Sequence, residues 1–308
     1  MNPTDAVEVE AVAAPPARAF PSRLLDYLEL TKPRVTGMVL LTTLAGFYMG
    51  SGGRSDTTRL LQLLFGTALA AAGASALNQY VEREADGRMR RTRARPLPAG
   101  RMEPAHALLF GGLLSIASLA HLALVVDPLV SGIVALTILS YVFIYTPLKS
   151  RCATSTLIGA LPGALPALVG WTAAEGRLSA GGLSLLAILF VWQMPHALAI
   201  ACLYREDYER GGFALLPVLG GGNARTGWVA LAYAILLVPV SLLPAVFGYA
   251  GAPYVLGAIL LGVLQALVVV PLLRDGSAGA ARRLLIASVA YLPALLLLLA
   301  LDRRAPIP

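Results

Sequence analysis

Nine long apolar intervals alternate with short charged segments along this chain, at roughly 35–50, 60–80, 105–126, 128–147, 156–174, 182–203, 228–247, 253–273 and 284–301. About 20 consecutive apolar residues span the hydrocarbon core of a bilayer, and a charge left inside that core is expensive. None of the 24 Lys and Arg residues falls within these intervals. Charged residues make up only 13% of the chain, about half the share found in an average soluble domain. The pattern excludes an ordinary soluble fold and predicts an all-α, polytopic membrane protein, a bundle of nine transmembrane helices. The first of the nine is the shortest.

The placement of the basic residues predicts orientation. Nineteen of them lie in the N-terminal segment and in the second, fourth, sixth and eighth connections; the opposite face holds only Arg54, Arg59, Arg177, Arg303 and Arg304. Cytoplasmic connections carry the excess of Lys and Arg, so the N-terminus is expected in the cytoplasm and the C-terminus outside. The net charge of +7 is then a topology signal, and no nucleic-acid partner is expected. Residues 1–30, rich in Ala and Pro, read as a flexible tail. Asp5, Glu8 and Glu10 within it argue against an acid-poor transit peptide, and it lacks a signal-peptide core. Because every later connection is short, residues 31–302 read as a single transmembrane domain. Cys152 and Cys202 fall near the cytoplasmic side without a CxxC spacing and read as structural thiols.

Two cytoplasmic segments concentrate the remaining polar chemistry. The first, "ALNQYVEREADGRMRRTRARPLP" at 76–98, carries Asn78, Glu82 and Asp86 at i, i+4 and i+8. At 100° per residue these stay within an arc of about 80°, on one helix face roughly 12 Å long. Oxygen ligands in such a row suit Mg²⁺, which takes one or two carboxylates together with substrate phosphates. Arg90, Arg91, Arg93 and Arg95 follow, and arginines beside carboxylates suit an anion that arrives with its metal, such as a diphosphate. A basic inner loop that only obeyed the charge rule would account for the arginines, but it gives no reason for the helical phase of the oxygens.

The second segment, "WQMPHALAIACLYREDYERGGFALLP" at 192–217, supplies Glu206, Asp207 and Glu209, Arg205 and Arg210, and the hydroxyls of Tyr204 and Tyr208. On a continuous helix His196 and Asp207, 11 residues apart, share a face within about 20°. A histidine inside a membrane span is a functional candidate, or else a hydrogen-bonded packing residue. Tyr145 and Lys149 stand at i and i+4 where the fourth span ends, and Lys32 and Arg34 flank Pro33 where the first begins. Each pair could be an interfacial snorkeller; together they describe a polar cavity mouth under an apolar bundle, suited to an amphiphile with a phosphate head. The glycine run 220–222 lacks the strand–turn–helix context of a phosphate loop.

The order of these motifs resembles the UbiA superfamily of intramembrane prenyltransferases, most closely its protohaem-farnesylating branch. The likeness rests on "LTKPR" at 30–34, the 78–98 stretch, "YTPLK" at 145–149, "GALPGALP" with the following "GW" at 159–171, and the 192–217 segment. The superfamily pattern NxxxDxxxD is met by Asn78 and Asp86, with Glu82 replacing the middle Asp. Many relatives carry a second pair of Asp residues four apart; here Asp207 is followed four residues later by Gly211, which puts the second metal's ligands in doubt.

The resemblance implies a nine-helix bundle open laterally to lipid, with a diphosphate site under a cytoplasmic cap. It implies Mg²⁺, farnesyl diphosphate as donor and haem B as acceptor, a substrate rather than a cofactor. The product would be haem O, serving haem-copper oxidases, with haem A synthase or oxidase-assembly factors downstream, and the setting a bacterial inner membrane. By the same resemblance Asn78, Glu82 and Asp86 would hold one Mg²⁺ and Asp207 a second. Arg93, Arg95, Lys149 and Tyr145 would contact the diphosphate, with Lys32, Arg34, Arg90, Tyr204 and Arg205 as further substrate contacts and His196 on the haem side. Two other readings stay open at this point: a relative acting on an aromatic acid such as 4-hydroxybenzoate, and a transporter of an amphiphilic anion.

Overall fold

The computed structural model describes residues 20–53, 56–219 and 222–304. Residues 1–19 of the expected tail, Arg54, and Gly220 and Gly221 lie outside the described residues.

Hydrocarbon offers no partner to backbone N–H and C=O groups, so long apolar runs must satisfy them internally as helices. Eight helices among the described residues are long and apolar enough to cross a membrane: α3 (Thr57–Arg88), α4 (Pro104–Val126), α5 (Pro128–Leu148), α6 (Ser155–Glu175), α7 (Ala180–Leu203), α9 (Ala224–Val246), α10 (Ala252–Arg274) and α11 (Ala278–Leu301). The short α8 (Arg205–Arg210) follows α7. The first of the nine expected spans is also a helix, α2 (Pro33–Gly50), but its 18 residues are shorter and less apolar than the other eight. It packs closely on α6: a Cβ on Gly46 would run into the Ala167 carbonyl, and one on Gly170 into the Thr43 carbonyl. Outward-facing Leu41, Ile116, Leu256, Leu260 and Leu297 leave an apolar surface for lipid. The chain is thus an integral, multi-pass, all-helical membrane protein.

Three local features differ from the expectations. Residues 20–30, read as part of a flexible tail, contain α1 (Phe20–Leu30). This helix is tied down because Arg101 reaches both Asp26 (2.7 Å) and Glu29 (2.6 Å), and the buried Gln79 amide donates to the Leu30 carbonyl (2.9 Å). His196 and Asp207 do not share a continuous helix: the chain breaks at Tyr204 (φ −110°, ψ 25°), and Asp207 belongs to α8. The break lets the acidic segment turn back over the bundle end. Finally, α5 passes through a π-helical segment, Ser140–Tyr145, before its last turn. A π turn rotates the residues beyond it relative to an ideal helix, and such turns recur at functional sites.

Candidate active site

The last three turns of α3 project past its apolar part and carry the oxygen row. Asn78, Glu82 and Asp86 are all buried, while the intervening Glu84 is open to solvent. Each buried oxygen group has a basic partner from a different part of the chain. Lys32 Nζ donates to Asn78 Oδ1 (2.8 Å), Lys149 Nζ pairs with Glu82 Oε1 (2.8 Å), and Arg95 Nη1 pairs with Asp86 Oδ2 (2.6 Å). The π segment of α5 brings Thr146 to the first member, where its hydroxyl accepts from Asn78 Nδ2 (3.1 Å). That bond leaves the Asn78 oxygen facing Lys32.

Within this cluster three basic side chains face two carboxylates and one amide. Lys32 begins α2 in the left-handed region (φ 46°), a strained conformation for a side chain with a Cβ. Burial, and next the charge of Arg95, push its ammonium down to about 7. For Lys149 burial also opposes the charge, but the oxygens of Tyr145 and Glu82 outweigh it and hold the ammonium above the ordinary lysine range. Its Nζ stands 5.3 Å from the Tyr145 ring centre and 4.6 Å from that of Phe213.

Oxygen donors in this row fit Mg²⁺. Asp86 Oδ1 is buried without any hydrogen-bond partner, a costly state for a carboxylate oxygen unless a cation takes it. No group of three or more His, Cys, Asp or Glu among the described residues could hold a metal as a complete cage.

Asp207 is placed differently. One of its oxygens accepts from the backbone N–H of Arg90 and the other from that of Arg91, each at 3.1 Å, and Arg210 adds an ion pair at 2.6 Å. The Arg210 hydrogen bond, then the two backbone bonds, hold this carboxyl below the usual range against the opposing effect of burial. It clasps the turn that leads from α3 to Arg95.

The structure therefore gathers Lys32, Asn78, Glu82, Asp86, Arg95, Tyr145 and Lys149 at one end of the bundle. Arg34 and Arg93 are exposed and make no contact with the row among the described side-chain bonds. Arg90, Tyr204 and Arg205 line a separate open hollow beside α8. Thr146 and Gln79 were not singled out by sequence; their roles depend on helix packing, and only the position of Thr146 inside "YTPLK" hinted at it.

Directly inward from the row lies an apolar cavity of about 280 Å³. The stretch of α3 before Asn78 hollows it with small side chains, Ala70, Ala71, Ala74 and Ser75, while Tyr141 and Tyr145 form the wall nearest Lys149. Gly159 gives the Tyr145 ring its place, since a Cβ there would come within 2.6 Å of the ring carbon Cδ2. The charged mouth opens onto an apolar pocket inside the membrane bundle, an arrangement that matches the two halves of a prenyl diphosphate in charge and polarity.

The fold and site define an intramembrane prenyltransferase. The chain matches the UbiA prenyltransferase family over residues 39–298, and it belongs to that family. Among its relatives is a protoheme IX farnesyltransferase of Solibacter usitatus, 45% identical over 90% of this chain and 98% of that protein. Another, from Anaeromyxobacter sp. strain Fw109-5, is 43% identical over 95% and 99%. Solved structures of the same fold include a digeranylgeranylglyceryl phosphate synthase (TM-score 0.77, 18% identity, 91% of this chain and 98% of that one). A UbiA homolog from Archaeoglobus fulgidus, bound to DMAPP and Mg²⁺, has a TM-score of 0.64 at 18% identity and covers 89% and 99%.

Proposed function

We propose that this protein is a protohaem IX farnesyltransferase: it moves the farnesyl group of farnesyl diphosphate to a vinyl group of haem B, with addition of water, giving haem O. One observation carries the reading. The buried row Asn78, Glu82 and Asp86, each bonded to a basic side chain, stands at the mouth of an apolar cavity, in a chain whose relatives over nearly its whole length are named for this reaction.

Asn78, Glu82 and Asp86 would hold Mg²⁺, with the unpartnered Asp86 Oδ1 as its principal anchor. When bound, the ion neutralises charge that develops on the departing diphosphate. Lys32, Lys149 and Arg95 then exchange their carboxylate and amide partners for phosphate oxygens, keeping positive charge fixed where the leaving group forms. Tyr145, beside Lys149, donates a hydrogen bond there. The C–O bond breaks with its electron pair on the diphosphate and leaves an allylic cation. The vinyl π electrons close the new C–C bond, and water takes up the resulting cation and loses a proton. The apolar wall formed by Ala70, Ala71, Ala74 and Val134 excludes water from the first cation. By the charge rule, this end of the bundle faces the cytoplasm of a bacterial inner membrane, and haem O leaves for an enzyme that oxidises it further or for oxidase assembly.

The test is mass spectrometry of haem extracted after incubation with farnesyl diphosphate and Mg²⁺. A haem heavier by one farnesyl group plus water is expected. Unmodified haem with a prenylated 4-hydroxybenzoate would give the aromatic reading instead, and farnesyl diphosphate moved intact across the membrane would make the protein a transporter.

A further inference from the structure

His196 lies on α7 in the same turn as Gln193 and Ala197, which line the apolar cavity. It faces α11, where its Nδ1 stands 2.9 Å from Ser288 Oγ. The same Oγ is 2.7 Å from the Leu285 carbonyl. A hydroxyl has one hydrogen, and a carbonyl can only accept. The hydrogen therefore goes to Leu285, and the Ser288 oxygen can meet the imidazole only as an acceptor. Nδ1 must carry the ring proton, and in the neutral imidazole Nε2 keeps its lone pair.

Trp192, one turn earlier on α7, fixes the ring from another side. The two rings stack at 5.0 Å and 20°, and the indole N–H donates to the Ser288 carbonyl (2.7 Å). No described residue bonds to Nε2, and the imidazole is only partly buried. A histidine whose Nδ1 is tied down and whose Nε2 has no bond to a described residue has the set-up of a metal ligand. Among the described residues no group of three or more His, Cys, Asp or Glu could hold a metal. A lone imidazole suits a metal that brings its own ligands. Iron in a porphyrin has four ring nitrogens and lacks only an axial donor.

We propose that Ser288 is a positioning residue that holds His196 in the Nδ1–H form, so that Nε2 serves as an axial ligand to the iron of the porphyrin acceptor. The proposal rests on the function given above. Its test uses the full chain in lipid nanodiscs with ferric haem B, comparing the parent with His196→Ala, Ser288→Ala and Ser288→Thr. The readouts are the Soret and spin-state spectra, haem affinity, farnesyl diphosphate affinity and the mass of the haem product.

His196→Ala should lose the histidine-ligated spectrum and regain it with added imidazole. Ser288→Ala should weaken haem binding about 10-fold with a mixed spin state, and Ser288→Thr, which keeps the hydroxyl, should stay near the parent. Farnesyl diphosphate affinity should be unchanged in all three, which also reports that they fold. Identical spectra for parent and His196→Ala would overturn the ligation, and a Ser288→Ala variant indistinguishable from the parent would overturn the role of Ser288. Either result alongside a farnesylated haem product leaves the proposed function standing. Absence of that product from the parent overturns the function itself.

Discussion

Asp86 combines near-complete burial with an oxygen that has no partner, and a single substitution there separates binding chemistry from folding. Asp86→Asn keeps the shape and one acceptor for Arg95 but removes the charge that a cation needs. Turnover should fall by roughly 100-fold and lose its response to Mg²⁺, while thermal stability in detergent stays close to the parent; near-normal turnover would sink the assignment. Asp207 calls for the opposite signature. As a clasp on the Arg90 and Arg91 amides, its loss in Asp207→Ala should raise hydrogen exchange in the 89–95 segment at neutral pH and leave the Mg²⁺ half-saturation unchanged. A shifted half-saturation with unaltered exchange would instead make Asp207 a ligand of a second ion. Its carboxyl is held below the usual range. The clasp therefore contributes fully above the unfolded carboxylate value of about 4, and that contribution disappears as pH falls through the lower folded value.

At the level of elements, α3 does two jobs with one 32-residue helix. Its small residues leave room for a cavity in the membrane, and its last turns carry the oxygen row beyond it. Because both jobs lie on one rigid rod, the row sits at a fixed height above the cavity. The π segment of α5 adjusts its partner, bringing Thr146 to Asn78 and Lys149 to Glu82. The α2–α6 contact holds the third wall and leaves no room for a methyl group at Gly170. Gly170→Ala should therefore cost about 1–3 kcal/mol through overpacking, measured by denaturant titration in micelles. Gly112→Ala adds the same methyl to open space on α4 and should be neutral or slightly stabilising, through the lower backbone entropy of Ala. Equal effects of the two substitutions would mean that the α2–α6 contact gives way.

The oxygen row and its basic partners lie at one end of the bundle, and the other end carries ion pairs of its own, Arg59–Asp127 and Arg177–Glu175. The charge pattern predicts nine crossings and a cytoplasmic N-terminus, and on that topology cysteines placed at Ala99 and at Leu178 should differ in access. In intact cells a membrane-impermeant maleimide should label Leu178→Cys and spare Ala99→Cys, and permeabilised cells should label both. The reverse pattern would invert the orientation.

Much of this was legible in the chain because it depends on neighbours in sequence. Exclusion of charge from hydrocarbon marked eight membrane-length helices, most of them to within a few residues, and the 3.6-residue period put Asn78, Glu82 and Asp86 on one face before any packing was known. The end of α7 at Tyr204 was not legible, since a helix can as readily run on through Arg205 as break there, and the break alone separates Asp207 from His196. Nor could the chain reveal which base meets which oxygen. Lys32 is 46 residues from Asn78, Lys149 is 67 from Glu82, and Ser288 is 92 from His196. Local periodicity sets what a helix presents; only the packing of one helix against another decides what it meets.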